Sequence, residues 1–119
     1  MFIAALFLAA ADPAPVTGFY RSNQMEIGAA LELEADGHFQ YQLDYGAVSE
    51  GAEGNWSSDG TSVYLTATRM EGAYKASNFN RQPLKIEGDR LLLNRYDTVI
   101  RFEREELPAP NTKNKHLEE

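Results

Sequence analysis

The 119-residue chain contains no cysteine. This absence excludes disulfides, thiolate nucleophiles, cysteine-ligated zinc, iron–sulfur clusters and a lipid-modified cysteine. Histidine is scarce as well, with only His38 and His116. His38 follows a predicted turn on the polar phase of a strand and should be solvated. Because no second ligand pattern accompanies either histidine, we expect no metal site and no cofactor.

Basic side chains are rare in the first half of the chain. Residues 1–60 carry one, Arg21, against nine acidic side chains, whereas residues 61–119 carry ten basic and nine acidic ones. The net charge of -7 argues against nucleic acid or an anionic membrane surface as a partner, since both attract excess Lys and Arg. The acidic half is suited either to plain solvation with cross-strand ion pairs or to docking a cationic partner.

The chain also lacks a long hydrophobic run. The longest, Phe2–Ala11, has ten residues, which is too short to span a membrane and matches the core of a signal peptide. No Lys or Arg precedes it. We predict a signal peptide over 1–11 and an extended leader over 12–16, and hence a periplasmic or secreted bacterial protein. A buried N-terminal strand or helix is the alternative.

No segment has the period of a long helix, and most of the chain alternates with the period of two that is typical of strands. The clearest case runs from His38 to Tyr45, where one phase is apolar. About eight short strands over 17–105 predict an all-β fold. A small antiparallel up-and-down barrel hides their edges, and a two-sheet sandwich is the alternative. The polar segment 106–119 contains two prolines and is expected to be a disordered tail.

Two Gly-x-aromatic triplets frame a Leu-x-Leu strand and an Asp-Gly turn, at 18–20, 54–56, 31–33 and 36–37. This order resembles small exported bacterial barrels of the lipocalin-like (calycin) type. The resemblance implies that Tyr20 takes the place of a tryptophan at the closed end of the barrel. It also implies that Arg101 or Arg104 packs over the ring of Tyr20. Such barrels include ligand carriers, protease inhibitors and envelope-stress proteins.

We therefore expect a non-enzymatic binding module that holds a small hydrophobic or amphipathic molecule in or at the mouth of the barrel. The inward phase of the strands predicts Tyr41, Tyr45 and Trp56 as ligand contacts. Arg69 or Arg101 is the predicted polar anchor. Ordinary core packing of the aromatic residues is the alternative.

The second hypothesis is a barrel that binds another envelope protein, as an inhibitor or an assembly factor. It would use the acidic strands and the loop 71–82, whose predicted partner contacts are Tyr74, Asn78, Phe79 and Arg81. The same loop could instead be a lid over the barrel end. Catalysis is not expected, because no acid–base constellation is visible. Glu50 and Glu53 lie among small residues and are interpreted as part of a mobile acidic loop rather than a catalytic pair.

Overall fold

The computed structural model describes residues 15–72 and 78–106. Within them the chain forms eight strands: β1 Gly18–Gln24, β2 Ile27–Leu33, β3 His38–Tyr45, β4 Val48–Ser58, β5 Ser62–Glu71, β6 Gln82–Glu87, β7 Arg90–Arg95 and β8 Thr98–Glu105. The predicted signal peptide, most of the leader, Tyr74 and nearly all of the predicted tail lie outside the described residues.

The eight strands form one closed antiparallel barrel in chain order. Each strand pairs with the next, and β8 closes the barrel on β1, where Phe19 to Arg21 face Glu105 to Glu103. This confirms the predicted all-β, up-and-down barrel and not the sandwich. A closed sheet leaves no strand edge free to pair with another chain, which is the usual physical advantage of a barrel.

Alternation along the strands determines which side chains face the interior. In the β2–β3 hairpin Leu31 lies opposite Tyr41 and Leu33 opposite Phe39, and all four side chains are buried. The polar residues between them face outward. The Asp36–Gly37 turn keeps this register, and a slip of one residue would turn both apolar sets toward solvent.

Beyond Arg21 and Glu103, where the backbone pairing of β1 with β8 ends, the seam is closed by the side chain of Gln24. The Gln24 amide nitrogen donates to the carbonyl of Val99 at 3.3 Å. The Gln24 side-chain oxygen accepts a hydrogen bond from the backbone nitrogen of Arg101 at 2.7 Å. A primary amide carries one donor group and one acceptor, so it can replace a strand's peptide group at the point where the strands diverge.

The barrel interior is filled with side chains. Its buried apolar core draws on seven strands and on the segment before β6: Tyr20, Ile27, Ala29, Leu31, Leu33, Phe39, Tyr41, Leu43, Val63, Leu65, Phe79, Leu84, Leu91, Leu93, Ile100 and Phe102. Small barrels are normally packed in this way and leave little room for a ligand between their walls.

A β-bulge interrupts the pairing of β4 with β5. Glu53 pairs with Arg69 but the next residue, Gly54, pairs with Ala67, so Thr68 is an extra residue in β5. The bulge reverses the phase of β5: Val63 and Leu65 face inward, whereas Arg69 faces outward. Bulges of this kind bend a strand and redirect its side chains.

Gly54 is required because the bulge brings the backbone of β5 very close to it. A Cβ at this position would lie 2.2 Å from the carbonyl oxygen of Thr66 and 2.8 Å from the Cα of Ala67. Neither is the end of a flexible side chain, so neither can move without shifting the strand. The glycine of the second Gly-x-aromatic triplet is therefore explained by close packing of two strands.

We expect Gly54→Ala to lower the free energy of unfolding by about 1–3 kcal/mol, because the added methyl group overpacks the bulge. Gly28→Ala is the matched control, since a Cβ there meets nothing within 4 Å and the change restricts the unfolded chain. Urea denaturation of both variants measures the effect. Equal stabilities for the two variants would contradict this account of the bulge.

Candidate functional site

The most organised polar group of the barrel is a buried cluster, here called the Glu50 cluster, made of Glu50, Arg95, Tyr41 and Tyr96. The Arg95 guanidinium donates to both Glu50 carboxylate oxygens, with Nε–Oε2 at 2.7 Å and Nη2–Oε1 at 3.0 Å. The Tyr41 hydroxyl donates to Oε2 at 2.7 Å and the Tyr96 hydroxyl to Oε1 at 2.5 Å. The side chains of Glu50 and Arg95 are 0% and 4% exposed.

The expectation that Glu50 and Glu53 lie in a mobile acidic loop is wrong. Both residues lie within β4, where alternation places Glu50 inside the barrel and Glu53 outside. Arg95 follows the inward phase of Leu91 and Leu93 along β7 in the same way. The sequence carries the signal for this placement: Trp56 is predicted to face inward, and steps of two along the strand lead from Trp56 back to Glu50.

Tyr96 reaches the cluster from the turn between β7 and β8. Tyr96 and the following Asp97 have φ values of 54° and 57°, the left-handed conformation that two-residue hairpin turns require and that Asn-Gly usually supplies. A tyrosine in this conformation is uncommon. Here its hydroxyl contacts a buried carboxylate and its ring lies 6.1 Å from that of Tyr45.

The cluster determines the charge state of its members. Burial by itself would raise the pKa of Glu50, but hydrogen bonds from Arg95, Tyr96 and Tyr41 outweigh it and hold the pKa below its usual range. Burial raises the pKa of Tyr41, and its hydrogen bond to Glu50 raises it further. Glu50 is thus ionised and Tyr41 neutral at neutral pH.

Phe79 packs over this cluster from the segment that precedes β6. Its ring lies 4.8 Å from the Tyr41 ring and 4.8 Å from the Arg95 guanidinium carbon. Its carbonyl accepts a hydrogen bond from the backbone nitrogen of Ala67 at 2.8 Å. From the sequence, Phe79 is predicted to be a partner contact in the loop 71–82. It is instead 1% exposed and belongs to the core, as a residue that covers the barrel end would.

The other predicted partner contacts do not form one surface with Phe79. Asn78 is exposed, and Arg81 lies on the outside of the barrel with its guanidinium carbon 4.3 Å from the Tyr64 ring. Tyr74 lies outside the described residues. The predicted partner contacts that the structure describes are therefore split between the core and the outer face.

The predicted ligand contacts are not brought together either. Tyr45 and Trp56 lie at opposite ends of the β3–β4 hairpin, and Tyr41 is sealed in the Glu50 cluster between them. Both predicted anchors point away from the interior. Arg69 was turned outward by the bulge, and Arg101 lies between the inward-facing Ile100 and Phe102.

The pair implied by the resemblance is formed by Arg104 and not by Arg101. The Arg104 guanidinium carbon lies 5.1 Å from the centre of the Tyr20 ring. Its nitrogens donate to the carbonyls of Thr17 at 2.7 Å and Pro15 at 3.0 Å. A Cβ on Gly18 would lie 2.8 Å from Nη1 of Arg104. The first Gly-x-aromatic triplet thus supplies a ring and the space for the cation beside it.

Next to this pair lies a half-open pocket of about 420 Å³, here called the mouth pocket. Its lining is mainly apolar, with charged groups at the edge: Pro15, Val16, Thr17, Tyr20, Trp56, Ser58, Gly60, Ile86, Gly88, Asp89, Leu91 and Arg104. The Trp56 indole nitrogen donates to the carbonyl of Glu34 at 2.9 Å, so the ring is held in place and its apolar surface faces the pocket.

His38 is exposed, as the sequence predicted. Its Nδ1 lies 3.1 Å from an Asp36 carboxylate oxygen, and the hydrogen bond to Asp36 raises the pKa of His38. Together with Glu34 these residues place three ligand atoms within 4.8 Å of one another on the surface of the β2–β3 turn. Among the described residues this is the one group with the composition and spacing to hold a metal ion.

We expect Glu50→Gln to lower the free energy of unfolding at pH 7 by about 3–5 kcal/mol, because it breaks a buried ion pair while the Arg95 charge stays in the interior. The folded pKa of Glu50 is depressed. Its contribution is therefore complete above the unfolded value of about 4.3 and is lost as the pH falls through the folded pKa. The difference from wild type should shrink below about pH 4.

Glu53→Gln is the matched control, since Glu53 lies on the same strand and faces solvent. It should change stability little, because exposed ion pairs contribute little. Urea denaturation of all three proteins between pH 7 and pH 3 makes the comparison. A pH-independent gap, or equal losses in the two variants, would show that the Glu50 pair does not stabilise the barrel in this way.

Comparison with known proteins adds no relative: no family model, curated protein or solved structure matches this chain. In residues 15–72 and 78–106 no helix is long and apolar enough to cross a membrane. The closed eight-stranded barrel is compatible with the lipocalin-like architecture. What the protein binds must therefore be inferred from its own surfaces.

Proposed function

We propose that the protein is a non-enzymatic binding module that takes a small amphipathic ligand at the mouth of its barrel. The observation that carries the proposal is the mouth pocket. Its volume of about 420 Å³ lies within the usual range for small-molecule sites, roughly 300–1,000 Å³. An apolar wall with a few polar groups at one edge is the common composition of such sites.

We place the ligand at the mouth because the interior of the barrel is filled with side chains. Phe39, Phe79 and Phe102 are each at most 1% exposed and occupy the space that a ligand inside the barrel would need. At the mouth, by contrast, Trp56 and Ile86 pack on the core yet remain partly exposed. A ligand seated there would cover apolar surface that now contacts water, which is favourable by about 25 cal/mol per Å².

The edge of the pocket suits a polar head group. Arg104 is half-buried and donates hydrogen bonds to the two backbone carbonyls and, at 3.0 Å, to the Tyr20 hydroxyl. Asp89 lines the same edge from the β6–β7 turn. A ligand with an apolar body and a polar end would place the body against Trp56 and the end between these two charges.

Binding rather than catalysis is supported by where the reactive groups lie. The best-organised charged pair, Glu50 and Arg95, is sealed inside the barrel, and its two side chains are hydrogen-bonded to each other. A substrate cannot reach them in this conformation. At the mouth pocket the polar groups Tyr20, Trp56 and Arg104 are used to hold the wall together.

The apolar run Phe2–Ala11 supports a periplasmic or secreted location in a bacterium, because its length and its small flanking residues are typical of a signal peptide. An exported barrel with a half-open mouth would meet amphipathic molecules of the envelope or the medium.

The proposal is tested with alkyl probes that share a ten-carbon chain and differ in head group: decanoate, decyltrimethylammonium and decyl maltoside. Trp56 is the only tryptophan and lines the pocket, so its emission should change saturably on titration, and the strongest probe identifies the preferred head group. Ser58→Phe should weaken binding at least tenfold, because the new ring projects into the pocket.

Ser57→Phe is the matched control. Ser57 is also exposed on β4, but it belongs to the opposite phase of the strand, so the new ring should leave affinity within about twofold. No saturable response to any of the three probes would overturn the proposal. Equal loss in the two variants would show that the probes bind elsewhere.

A further inference from the structure

A second concave surface lies on the outside of the barrel, away from the mouth pocket. This outer groove, of about 320 Å³, is lined by residues of the five strands β1 to β5. Its floor is low because Ala30 on β2 and Gly51 on β4 have little or no side chain, while longer side chains flank them. Phe19 forms part of one wall.

The charged groups of the groove are mostly carboxylates. Glu32, Glu53 and Glu71 line it, and Arg69 is the one cation among the lining residues. Arg69 lies between two of the carboxylates: its Nε is 3.4 Å from an oxygen of Glu53, and its Nη1 contacts Glu71. The groove therefore already holds a guanidinium group, supplied by the protein itself.

This guanidinium is held on the surface and not in the interior. The side chains of Arg69, Glu53 and Glu71 are 59%, 48% and 65% exposed. Exposed ion pairs are weak, because water and salt compete for both partners. Arg69 can thus be displaced at little cost by another cation that brings additional contacts.

The surroundings of the groove favour a cation as well. The groove lies on strands built largely from the first 60 residues. In the described part of this segment, residues 15–60, seven acidic side chains lie outside the barrel against one basic side chain, Arg21. Arg21 is occupied at the barrel seam, with its Nε 3.1 Å from an oxygen of Glu105. A surface of one predominant sign speeds the approach of a partner of the opposite sign and excludes partners of its own.

We propose that the outer groove is a docking surface for an extended, cationic segment of a partner protein. In the complex an Arg or Lys of the partner takes the position between Glu53 and Glu71 that Arg69 holds in the free protein. Five strands at the usual spacing span about 19 Å, which is the length of roughly six extended residues. Between the carboxylates, Gln40 and Gln42 offer amides to the peptide backbone of such a segment.

The experiment measures binding of a labelled peptide of four Arg-Ser repeats by fluorescence anisotropy, with the full chain at low salt. The double variant Glu32→Gln/Glu71→Gln should bind at least tenfold more weakly. The control, Glu87→Gln/Glu103→Gln, removes the same charge from two carboxylates that contact Arg90 on the other side of the barrel. It should stay within about threefold of wild type.

The Arg69→Gln variant is the most direct test, because the proposal predicts that it raises the affinity for the peptide. If the partner's cation replaces Arg69, this variant should bind the peptide about three- to tenfold more tightly. Weaker binding by Arg69→Gln would overturn the proposal, as would equal losses in the groove pair and the control pair, which would indicate non-specific attraction. Spermidine binding as tightly as the peptide would overturn it in favour of a site for small cations. Circular dichroism confirms that these exposed positions leave the fold intact.

Discussion

The ion pair of Glu50 and Arg95 is the interaction on which the interior of this barrel depends. It joins β4 to β7, which are separated by two strands on one side of the barrel and four on the other. Placing two charges away from water is costly unless every lone pair and N–H is used. The hydroxyls of Tyr41 and Tyr96 complete the set around the carboxylate, and Phe79 covers the guanidinium. The buried Glu50 carboxylate thus accounts for the inward position of Arg95 and for the left-handed conformation of Tyr96 in the β7–β8 turn. Phe79 is buried because it covers the guanidinium of the same pair.

A filled interior leaves concave surface on the outside of the barrel. The core and the Glu50 cluster occupy the space between the walls. Concave surface is found where the interior layers end and where outward side chains are small. The mouth pocket is of the first kind, because Trp56 and Ile86 end the core layer there. The outer groove is of the second kind, because of Ala30 and Gly51. Their chemistry differs accordingly: apolar walls with a polar edge in one, carboxylates in the other.

Strand alternation and turn residues were enough to predict the barrel and the inward faces of β2 and β3, because these features are local in the sequence. The candidate site was predicted less well. Arg69 continues the inward phase of Val63 and Leu65, and only pairing with β4 introduces the bulge that turns it outward. Phe79 lies between two asparagines in the sequence, which favours an exposed loop, yet tertiary packing buries it. Glu50 could have been placed by its phase with Trp56, but the neighbouring glycines favoured a loop.

Three of the residues that carry the resemblance to lipocalin-like barrels, Tyr20, Trp56 and Arg104, also line the mouth pocket. Gly18 leaves room for Arg104, which lies beside Tyr20 and binds the carbonyls of Thr17 and Pro15. The second triplet ends in Trp56, which forms another wall. In this chain the aromatic–arginine pair therefore does two things at once: it ties the segment before β1 to the end of β8, and it gives that end of the barrel a polar edge beside an apolar wall. The guanidinium that packs on the Tyr20 ring also lines the pocket, so the binding surface proposed above needs no residue beyond those that hold this end of the barrel together.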